Sequence, residues 1–284
     1  MIEARTIDVA RSALASPSGG GRMVGFVPTM GYLHEGHLSL VRQARAENDV
    51  VAVSIFVNPT QFGPREDLAR YPRDEARDLA LLAGAGVDVV FLPTVAEMYP
   101  PPGETRVEVG PIATRLEGAG RPTHFSGVAT VVAKLFNIMT PQRAYFGLKD
   151  AQQVTIIRQM VRELHFDVRV RVGPVVREPD GLALSSRNVY LTPAERAAAT
   201  ALSRALRAGQ QVFATGQADA AAIEAAMGAV LAGEPLVTVE YATVVAPLTC
   251  LPVATATADA LLVLAARVGS TRLLDAGFAA GDGA

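Results

Sequence analysis

The chain has 284 residues, of which 50% are hydrophobic and 19% are charged, which is typical of a well-packed globular protein with one large domain or two ordinary ones. The formal net charge of −2 excludes the broad basic surface of a nucleic-acid-binding protein, and the single cysteine excludes a disulfide framework or an all-cysteine metal site. Because no apolar run approaches the roughly 20 residues of a membrane-spanning helix and the first residues lack a signal-peptide pattern, we expect a cytoplasmic protein without membrane partners.

The first predicted elements that bear on function are a strand over residues 23–27 and a helix over residues 38–46. The segment between them, residues 28–37, carries His34 and His37 among glycines. In a parallel sheet this junction faces the ligand crevice, and the helix N-terminus adds N–H donors and partial positive charge. The segment therefore predicts a phosphate site, in which two neutral imidazoles donate to oxygens that gain charge during a reaction.

Two other interpretations of this region are less favourable. Zinc-binding helices space their histidines four residues apart around a general-base Glu, and a third ligand here would have to be His124 or His165. Residues 19–21, all glycine, are predicted to form a flexible loop, because no Lys-Ser or Lys-Thr follows them as in a phosphate-binding loop.

Strands and helices alternate through residue 175. A nearly continuous apolar run over residues 50–57 predicts a strand that is buried on both faces. The alternation predicts an α/β fold, with a Rossmann-like doubly wound parallel sheet over residues 1–175. The further predicted elements are a helix after Pro72 that ends at Gly84, a strand over residues 87–92, a helix with Ser126 as N-cap, a strand ending at Gly147, a helix opened by Asp150 and a strand over residues 166–172.

The pattern changes after residue 175. Thr192, Pro193 and Glu195 form a capping-box pattern with proline at the first helical position, ahead of an alanine-rich helix. A second helix is predicted over residues 219–231, followed by strands over residues 236–245, 260–268 and 271–274. These elements predict a smaller C-terminal α+β lid domain over residues 176–284.

Polar residues follow the predicted strand over residues 50–57. Asn58 and Gln61 lie at the carboxyl end of that strand, the end that opens on the same crevice as the histidines. Both residues could simply form a turn, because Asn-Pro often starts one. The neighbouring histidine segment favours contact with a ligand instead.

A second group of polar residues follows the strand that ends at Gly147. Lys149 lies just before a predicted helix, where its side chain can reach a phosphate. Asp150 and Gln153 have capping-box spacing, so Asp150 has a structural explanation and Gln153 stays ambiguous. Lys149 has no such structural explanation.

A polar loop over residues 177–188 joins the two predicted domains. Asp180 and Gly181 predict a turn, and Ser185, Ser186 and Arg187 follow it. Arginine suits bidentate contact with an oxyanion, and hydroxyl groups complete such a site. A solvated loop is the alternative, but the position at the domain junction favours contact with a ligand.

Five ordered strings carry a resemblance to a known family. The residues around His34 and His37 and the later 185–187 loop are similar to the HIGH and KMSKS elements of the nucleotidylyltransferase superfamily. The chain resembles, more specifically, the pantoate–β-alanine ligase (pantothenate synthetase) family, from about residue 20 to the tail at residues 271–275. The strings that carry this resemblance are residues 28–40, 55–62, 124–137, 146–153 and 177–188.

The resemblance implies a two-step ligation with small-molecule partners. ATP and the carboxylate of (R)-pantoate would give pantoyl adenylate and pyrophosphate with Mg²⁺, and the amine of β-alanine would then give pantothenate and AMP. Because adenylation supplies the leaving group that a carboxylate lacks, the protein's tasks would be positioning and charge stabilisation. The family also implies a homodimer and a role in coenzyme A biosynthesis.

The resemblance also assigns roles to individual positions. His34, His37, Lys149 and Arg187 are the implied catalytic residues. Gln61 and Gln153 would hold pantoate, with Met30 and Phe62 as walls of the same pocket, and Asp78 would lie near Mg²⁺. The implied ATP contacts are Met30, His37, Gly147, Lys149, Asp150, Val176, Leu184, Ser185, Ser186 and Arg187.

Two positions depart from the family pattern. Leu184 replaces a usual Met, which conserves volume. Leu148 replaces a usual Glu and removes a charge beside Lys149, so that any neutralisation there must come from elsewhere. Two alternatives therefore stay open: an adenylyltransferase of the same superfamily, which would need a basic acceptor pocket, and a nucleotide-binding protein without catalysis.

Overall fold

The computed structural model describes residues 1–15, 21–64 and 66–281, which pack as two compact units. We call them the N-terminal unit (Met1–Thr114, Gly118–Gly147 and Ile156–Gly173) and the C-terminal unit (Arg115–Glu117, Leu148–Thr155 and Pro174–Ala284). The domain boundary at residue 175 stays a prediction, and the segment Leu148–Thr155 belongs to the C-terminal unit. Of the predicted glycine loop, Gly19 and Gly20 lie outside the described residues.

A six-stranded parallel sheet forms the centre of the N-terminal unit. Its strands are β1 (Ile2–Ala4), β2 (Val24–Thr29), β3 (Val50–Ile55), β4 (Val89–Phe91), β5 (Arg143–Gly147) and β6 (Arg169–Gly173). The strand order is β1-β4-β3-β2-β5-β6, and every pair is parallel. The order reverses between β2 and β5, so the carboxyl ends of these two strands flank the point where such sheets bind ligands.

Helices connect these strands. The helices are α1 (Ile7–Leu14), α2 (Glu35–Glu47), α3 (Glu75–Gly84), α4 (Val95–Met98), α5 (Glu117–Gly120), α6 (His124–Met139) and α7 (Ala151–Glu163). Two of the helices, α5 and α7, have residues in both units. The prediction of Ser126 as an N-cap was wrong: α6 begins at His124 with Thr123 as its N-cap, because its buried face already includes Phe125. A 3₁₀ helix, Leu148–Asp150, precedes α7, so Asp150 lies just before the α-helix it was predicted to open.

The C-terminal unit packs helices against a small antiparallel sheet. Its helices are α8 (Pro193–Ala198), α9 (Thr200–Ala214) and α10 (Ala220–Ala232), and its strands are β7 (Val237–Val245), β8 (Leu261–Val268) and β9 (Thr271–Phe278), in the order β7-β8-β9. The predicted capping box is confirmed, since Thr192 Oγ1 accepts from the Glu195 N–H and Glu195 Oε2 accepts from the Thr192 N–H. Leu202, Ile223 and Leu262 belong to one buried core.

The predicted fold class is confirmed: a Rossmann-like parallel sheet with helices is followed by a smaller unit with an antiparallel sheet. No helix within residues 1–15, 21–64 and 66–281 combines the length and the apolar character needed to cross a membrane.

Candidate active site

The histidine segment forms a turn between β2 and α2. β2 ends at Thr29 and α2 begins at Glu35, with His34 as the N-cap residue. Gly31 and Tyr32 both have positive φ values, +83° and +50°, so the chain reverses sharply just before the histidines. A turn of this kind is favourable at glycine, but Tyr32 adopts it at a cost in backbone strain.

The two imidazoles are held by backbone N–H groups. His34 Nδ1 accepts from the Gly36 N–H at 3.2 Å, and His37 Nδ1 accepts from the His34 N–H at 3.3 Å. The ring centroids lie 4.1 Å apart. Because a ring nitrogen that accepts a hydrogen bond carries no proton, each neutral ring has its proton on Nε2. Both histidines are therefore in the tautomer whose Nε2–H can donate to a phosphate oxygen.

Asp78 lies beneath the same turn. Its Oδ2 accepts from the Tyr32 N–H at 2.6 Å, and its Oδ1 accepts from the Leu33 N–H at 2.8 Å. The side chain is only 1% exposed, and this burial raises the pKa of Asp78 although the two N–H groups oppose the shift. Within the described ranges, no cluster of three or more His, Cys, Asp or Glu residues could hold a metal ion.

Gln61 is oriented by Asn58 at the end of β3. The orientation of the Asn58 amide is fixed by two other hydrogen bonds. Its Oδ1 accepts from the Thr60 N–H, and its Nδ2 donates to the carbonyl oxygen of Gly127. The same Nδ2 donates to Gln61 Oε1 at 3.1 Å. The Gln61 amide must therefore present its Nε2 donor on the other side, where it lies 3.2 Å from Met30 Sδ.

The backbone of Gln61 is held from α6 and the loop before it. His124 Nδ1 lies 2.9 Å from the Gln61 carbonyl oxygen. Gly127 packs so closely that a Cβ there would lie 2.4 Å from the Thr60 carbonyl oxygen. Arg121 donates to both carboxylate oxygens of Glu66, at 2.9 and 2.6 Å. Together these contacts fix the segment after β3.

Gly147 and Phe62, two further residues that the sequence marked for contact with a ligand, lie in the N-terminal unit. Gly147 ends β5, next to β2, and a Cβ at this position would meet no atom within 4 Å. Its backbone is therefore open to a ligand. Phe62 is buried and packs edge-on against Tyr71 with centroids 5.9 Å apart, so it forms part of a hydrophobic wall.

Lys149 and Asp150 lie in the C-terminal unit, on the 3₁₀ helix that precedes α7. Lys149 Nζ lies 3.2 Å from Asp150 Oδ1, and the two side chains are 20% and 41% exposed. Leu148 is buried and carries no charge, so the carboxylate beside Lys149 is that of Asp150. Gln153 lies half-buried in the first turn of α7.

The 177–188 loop is held by a buried ion pair in the same unit. Arg177 donates to both carboxylate oxygens of Asp275 on β9, at 2.6 and 3.0 Å, and to the carbonyl oxygen of Gly181. Burial raises the pKa of Asp275, and the charges of Arg177 and Lys149 oppose that shift. The ion pair thus fixes the base of the loop to the sheet.

The end of this loop carries the remaining candidates. Val176 accepts from the Leu184 N–H through its carbonyl oxygen, so these two residues face each other across the loop. Ser185 is the N-cap of a 3₁₀ helix, Ser186–Tyr190, and its Oγ accepts from the Arg187 N–H at 3.3 Å. Ser186 is buried, whereas Ser185 and Arg187 are partly exposed.

Each unit therefore carries its own group of candidates. The N-terminal unit holds Met30, His34, His37, Gln61, Asp78 and Gly147, and the C-terminal unit holds Lys149, Asp150, Gln153, Val176, Leu184, Ser185, Ser186 and Arg187. Sequence reasoning missed the supporting contacts of His124, Tyr99 and Asp275, although His124 and Asp275 lie in stretches that carry the family resemblance. Tyr99 donates to Asn58 Oδ1 from a position 41 residues away, a distance that no local pattern reveals.

Comparisons with known proteins identify the family to which the chain belongs. The sequence model of a family described as pantoate-beta-alanine ligase matches residues 3–278. Pantothenate synthetase from Roseiflexus castenholzii is 60% identical over 95% of this chain and 96% of that protein, and the one from Agrobacterium fabrum is 56% identical over 95% and 93%. The crystal structure of pantothenate synthetase from Thermus thermophilus covers 98% of this chain and 99% of its own, with a TM-score of 0.94 and 51% identity. A pantoate-beta-alanine ligase from Francisella tularensis, complexed with beta-gamma ATP and beta-alanine, covers 98% of each chain with a TM-score of 0.81 and 36% identity.

Proposed function

The chain belongs to the pantoate–β-alanine ligase family and is a pantothenate-synthesising enzyme, and from this premise we propose that it works through a pantoyl adenylate. In the first step a carboxylate oxygen of (R)-pantoate attacks the α-phosphorus of ATP, and pyrophosphate leaves. In the second step the amine of β-alanine attacks the acyl carbon, loses a proton, and AMP leaves with the electron pair of the acyl–oxygen bond. The products are pantothenate, AMP and pyrophosphate.

The observation that carries this proposal is the fixed tautomer of His34 and His37. Attack on the α-phosphorus places additional negative charge on the phosphate oxygens. Two neutral Nε2–H groups at the N-terminus of α2 meet that charge without a proton being transferred. This arrangement suits the stabilisation of a phosphoryl transition state, because both donors keep their protons throughout the step.

The C-terminal unit carries the cationic residues that we propose as phosphate ligands. Lys149 binds phosphate oxygens, exchanging the carboxylate of Asp150 for them. Arg187 and the hydroxyl groups of Ser185 and Ser186 bind the triphosphate. The proposed nucleoside contacts are the backbone of Gly147 and Val176 and the carboxylate of Asp150 with the ribose, with Met30 and Leu184 beside the ATP.

Gln61 and Gln153 are the proposed ligands of pantoate. Since Asn58 holds Gln61 Oε1, Gln61 offers an N–H donor, which suits a hydroxyl or carboxylate oxygen of the substrate. That polarity favours an oxygen-rich acid over a phosphate acceptor, which would require a cationic pocket.

Magnesium enters this proposal only as the ion that ATP brings with its phosphates. Mg²⁺ in nucleotide sites is held mainly by phosphates and water, with one or two carboxylates. Asp78 does not fit as one of them, because its side chain is only 1% exposed and both of its oxygens face backbone N–H groups inside the turn. A homodimeric state, carried over from the family resemblance, and a cytoplasmic location, expected from the sequence pattern, complete the proposal.

The direct test is to supply ATP, (R)-pantoate and β-alanine and to identify the products. We expect pantothenate, AMP and pyrophosphate in equal amounts. Without β-alanine, the enzyme should exchange labelled pyrophosphate into ATP only when pantoate is present. ADP as the nucleotide product, or exchange that does not depend on pantoate, would rule out the adenylate route.

A further inference from the structure

The turn that precedes the two histidines is shaped to hold an anion. Gly31 and Tyr32 both lie in the left-handed region, with φ values of +83° and +50°. Successive N–H groups in such a turn can face one negatively charged group. A Cβ at Gly31 would lie 2.9 Å from Ile55 Cγ2 and 3.1 Å from Asp78 Oδ2, so the turn is packed against both residues.

The anion in this turn is the protein's own Asp78. Each of its carboxylate oxygens accepts one N–H group, from Tyr32 at 2.6 Å and from Leu33 at 2.8 Å. Arg77 completes the arrangement, with its guanidinium 5.3 Å from the Tyr32 ring centre and 3.6 Å from Asp78 Oδ1. The turn is thus bound to α3 by a charge-assisted pair of hydrogen bonds.

The geometry of both histidines depends on this contact. His34 directly follows Leu33, and its backbone N–H donates to His37 Nδ1. A shift of the chain at residue 33 would therefore move the N-cap and break the bond that fixes the second ring. The carboxylate of Asp78 acts on both imidazoles through three residues of backbone.

We propose that Asp78 is a positioning residue for His34 and His37 and that it does not ligate Mg²⁺. The Asp78 carboxyl group is only 1% exposed, so a metal ion with its water ligands could reach it only if the turn opened. Opening the turn would leave the buried N–H group of Leu33 without an acceptor. The catalytic part of this proposal rests on the proposed function, whereas the effect on the imidazoles does not.

Asp78→Asn is the most specific test of this role, because the amide has the same size as the carboxyl group and differs only in its hydrogen bonding. Asparagine has one acceptor oxygen, so its NH₂ group would face one of the two backbone N–H groups. We expect kcat for pantoate-dependent pyrophosphate exchange to fall about 100-fold, the scale of a misplaced catalytic group. The Mg²⁺ concentration for half-maximal activity and the KM for ATP should stay within about threefold of the wild type.

Histidine ¹⁵N chemical shifts provide a readout that does not depend on activity. In the wild type, His34 and His37 should both show the Nε2–H tautomer, and in Asp78→Asn they should show a mixture. Asp74→Ala is the matched control, since it removes the N-cap of the same helix, where Asp74 Oδ1 accepts from the Arg77 N–H, without touching the turn. It should leave the exchange rate and the histidine shifts unchanged.

Each outcome discriminates between the explanations. If Asp78→Asn raises the Mg²⁺ requirement at least tenfold and excess Mg²⁺ restores the rate, Asp78 is a metal ligand and the proposal is overturned. Unchanged histidine shifts with an unchanged rate would also overturn it. If Asp78→Asn does not fold, Gly31→Ala tests the turn from its other side and should give the same loss and the same tautomer mixture. A wild type without pantoate-dependent exchange would refute the proposed function, while the histidine shifts would still test the role of Asp78.

Discussion

The two units hold their candidate residues in different ways. In the N-terminal unit, His34, His37 and Gln61 are fixed by backbone N–H groups or by a buried amide. In the C-terminal unit, Lys149 lies on a 3₁₀ helix and pairs with a carboxylate that is 41% exposed. Such an exposed pair contributes about 0–1 kcal/mol and is easily exchanged for another partner. The first unit therefore has preorganised donors, and the second has a lysine that we propose exchanges its carboxylate partner for a phosphate.

The largest effects on the reaction rate are expected at His34, a preorganised donor, and at Lys149, whose ion pair is easily exchanged. His34→Ala and Lys149→Ala should each slow single-turnover adenylate formation by about two to three powers of ten, the scale for one preorganised donor. His34→Ala should also destabilise the protein by about 1 kcal/mol, because it removes the N-cap of α2. Lys149→Ala should leave stability unchanged.

His34→Asn is the matched control for this comparison. Asparagine is a favourable N-cap, so it should restore stability while the rate stays low, because its amide does not reach as far as Nε2. The measurements are rapid-quench kinetics and denaturant unfolding of all three variants. Near-wild-type adenylate formation in His34→Ala or Lys149→Ala would contradict the assigned roles, and a stability loss in Lys149→Ala would contradict the comparison.

The C-terminal unit also contains one firmly held group, an ion pair whose carboxylate is buried. Arg177 and Asp275 form two hydrogen bonds, and the Asp275 side chain is 1% exposed. Arg177→Met would leave that carboxylate buried without its partner, so we expect a loss of about 3 kcal/mol in the free energy of unfolding. Urea denaturation measures this loss, and Arg177→Met with Asp275→Leu should recover most of it.

The single and double variants together show whether the ion pair also positions the loop. If Arg177→Met loses stability but the double variant keeps the wild-type affinity for ATP, the pair only stabilises the unit. If the double variant is stable and binds ATP weakly, the pair also positions Ser185 and Arg187. A stability loss below about 1 kcal/mol in Arg177→Met would mean that the pair behaves like an exposed one.

A smaller and more specific effect is expected at Gln61. Gln61→Glu keeps the bond from Asn58 but replaces the N–H donor that we propose for pantoate with a carboxylate oxygen. The KM for pantoate should rise at least tenfold, because a polar site strongly rejects a mismatched partner, while ATP binding stays the same. Steady-state kinetics and ATP titration measure the two quantities. Weakened ATP binding with an unchanged KM for pantoate would refute the assignment.

The fold class could be predicted from the sequence, whereas the site residues stay predictions. The histidine segment and Lys149 could be proposed as candidates because they follow predicted strands, where composition and spacing are local signals. The capping box at Thr192 was found for the same reason. Asp78, His124 and Asp275 could not be found in this way, because they act on residues 45, 63 and 98 positions away in the chain. Long-range packing brings such partners together, and a single sequence carries no record of it.

The smallest effect is expected for two ion pairs in surface loops, one in each unit. Their contributions to the free energy of unfolding should depend on pH. Burial opposes the ionisation of Glu66, but the hydrogen bonds and charge of Arg121 outweigh it and lower the pKa of Glu66 below its usual 4.5. In the C-terminal unit, the hydrogen bonds of Arg196 likewise lower the pKa of Asp180, which is far more exposed. A lowered pKa stabilises the fold above the unfolded pKa, and this stabilisation disappears as the pH falls through the folded pKa.

Glu66→Gln should therefore cost about 1 kcal/mol at neutral pH, and Asp180→Asn only a few tenths of a kcal/mol, because solvent screens the more exposed pair. Both differences should shrink as the pH falls through the lowered pKa values of the two carboxyl groups. Urea unfolding of the wild type and both variants, at neutral pH and over a series of acidic pH values, measures them. Because Glu66 lies in the segment that carries Gln61, its variant should also raise the KM for pantoate slightly, whereas Asp180→Asn should not. An equal stability cost in both variants would show that the two units do not differ in how firmly their loops are held.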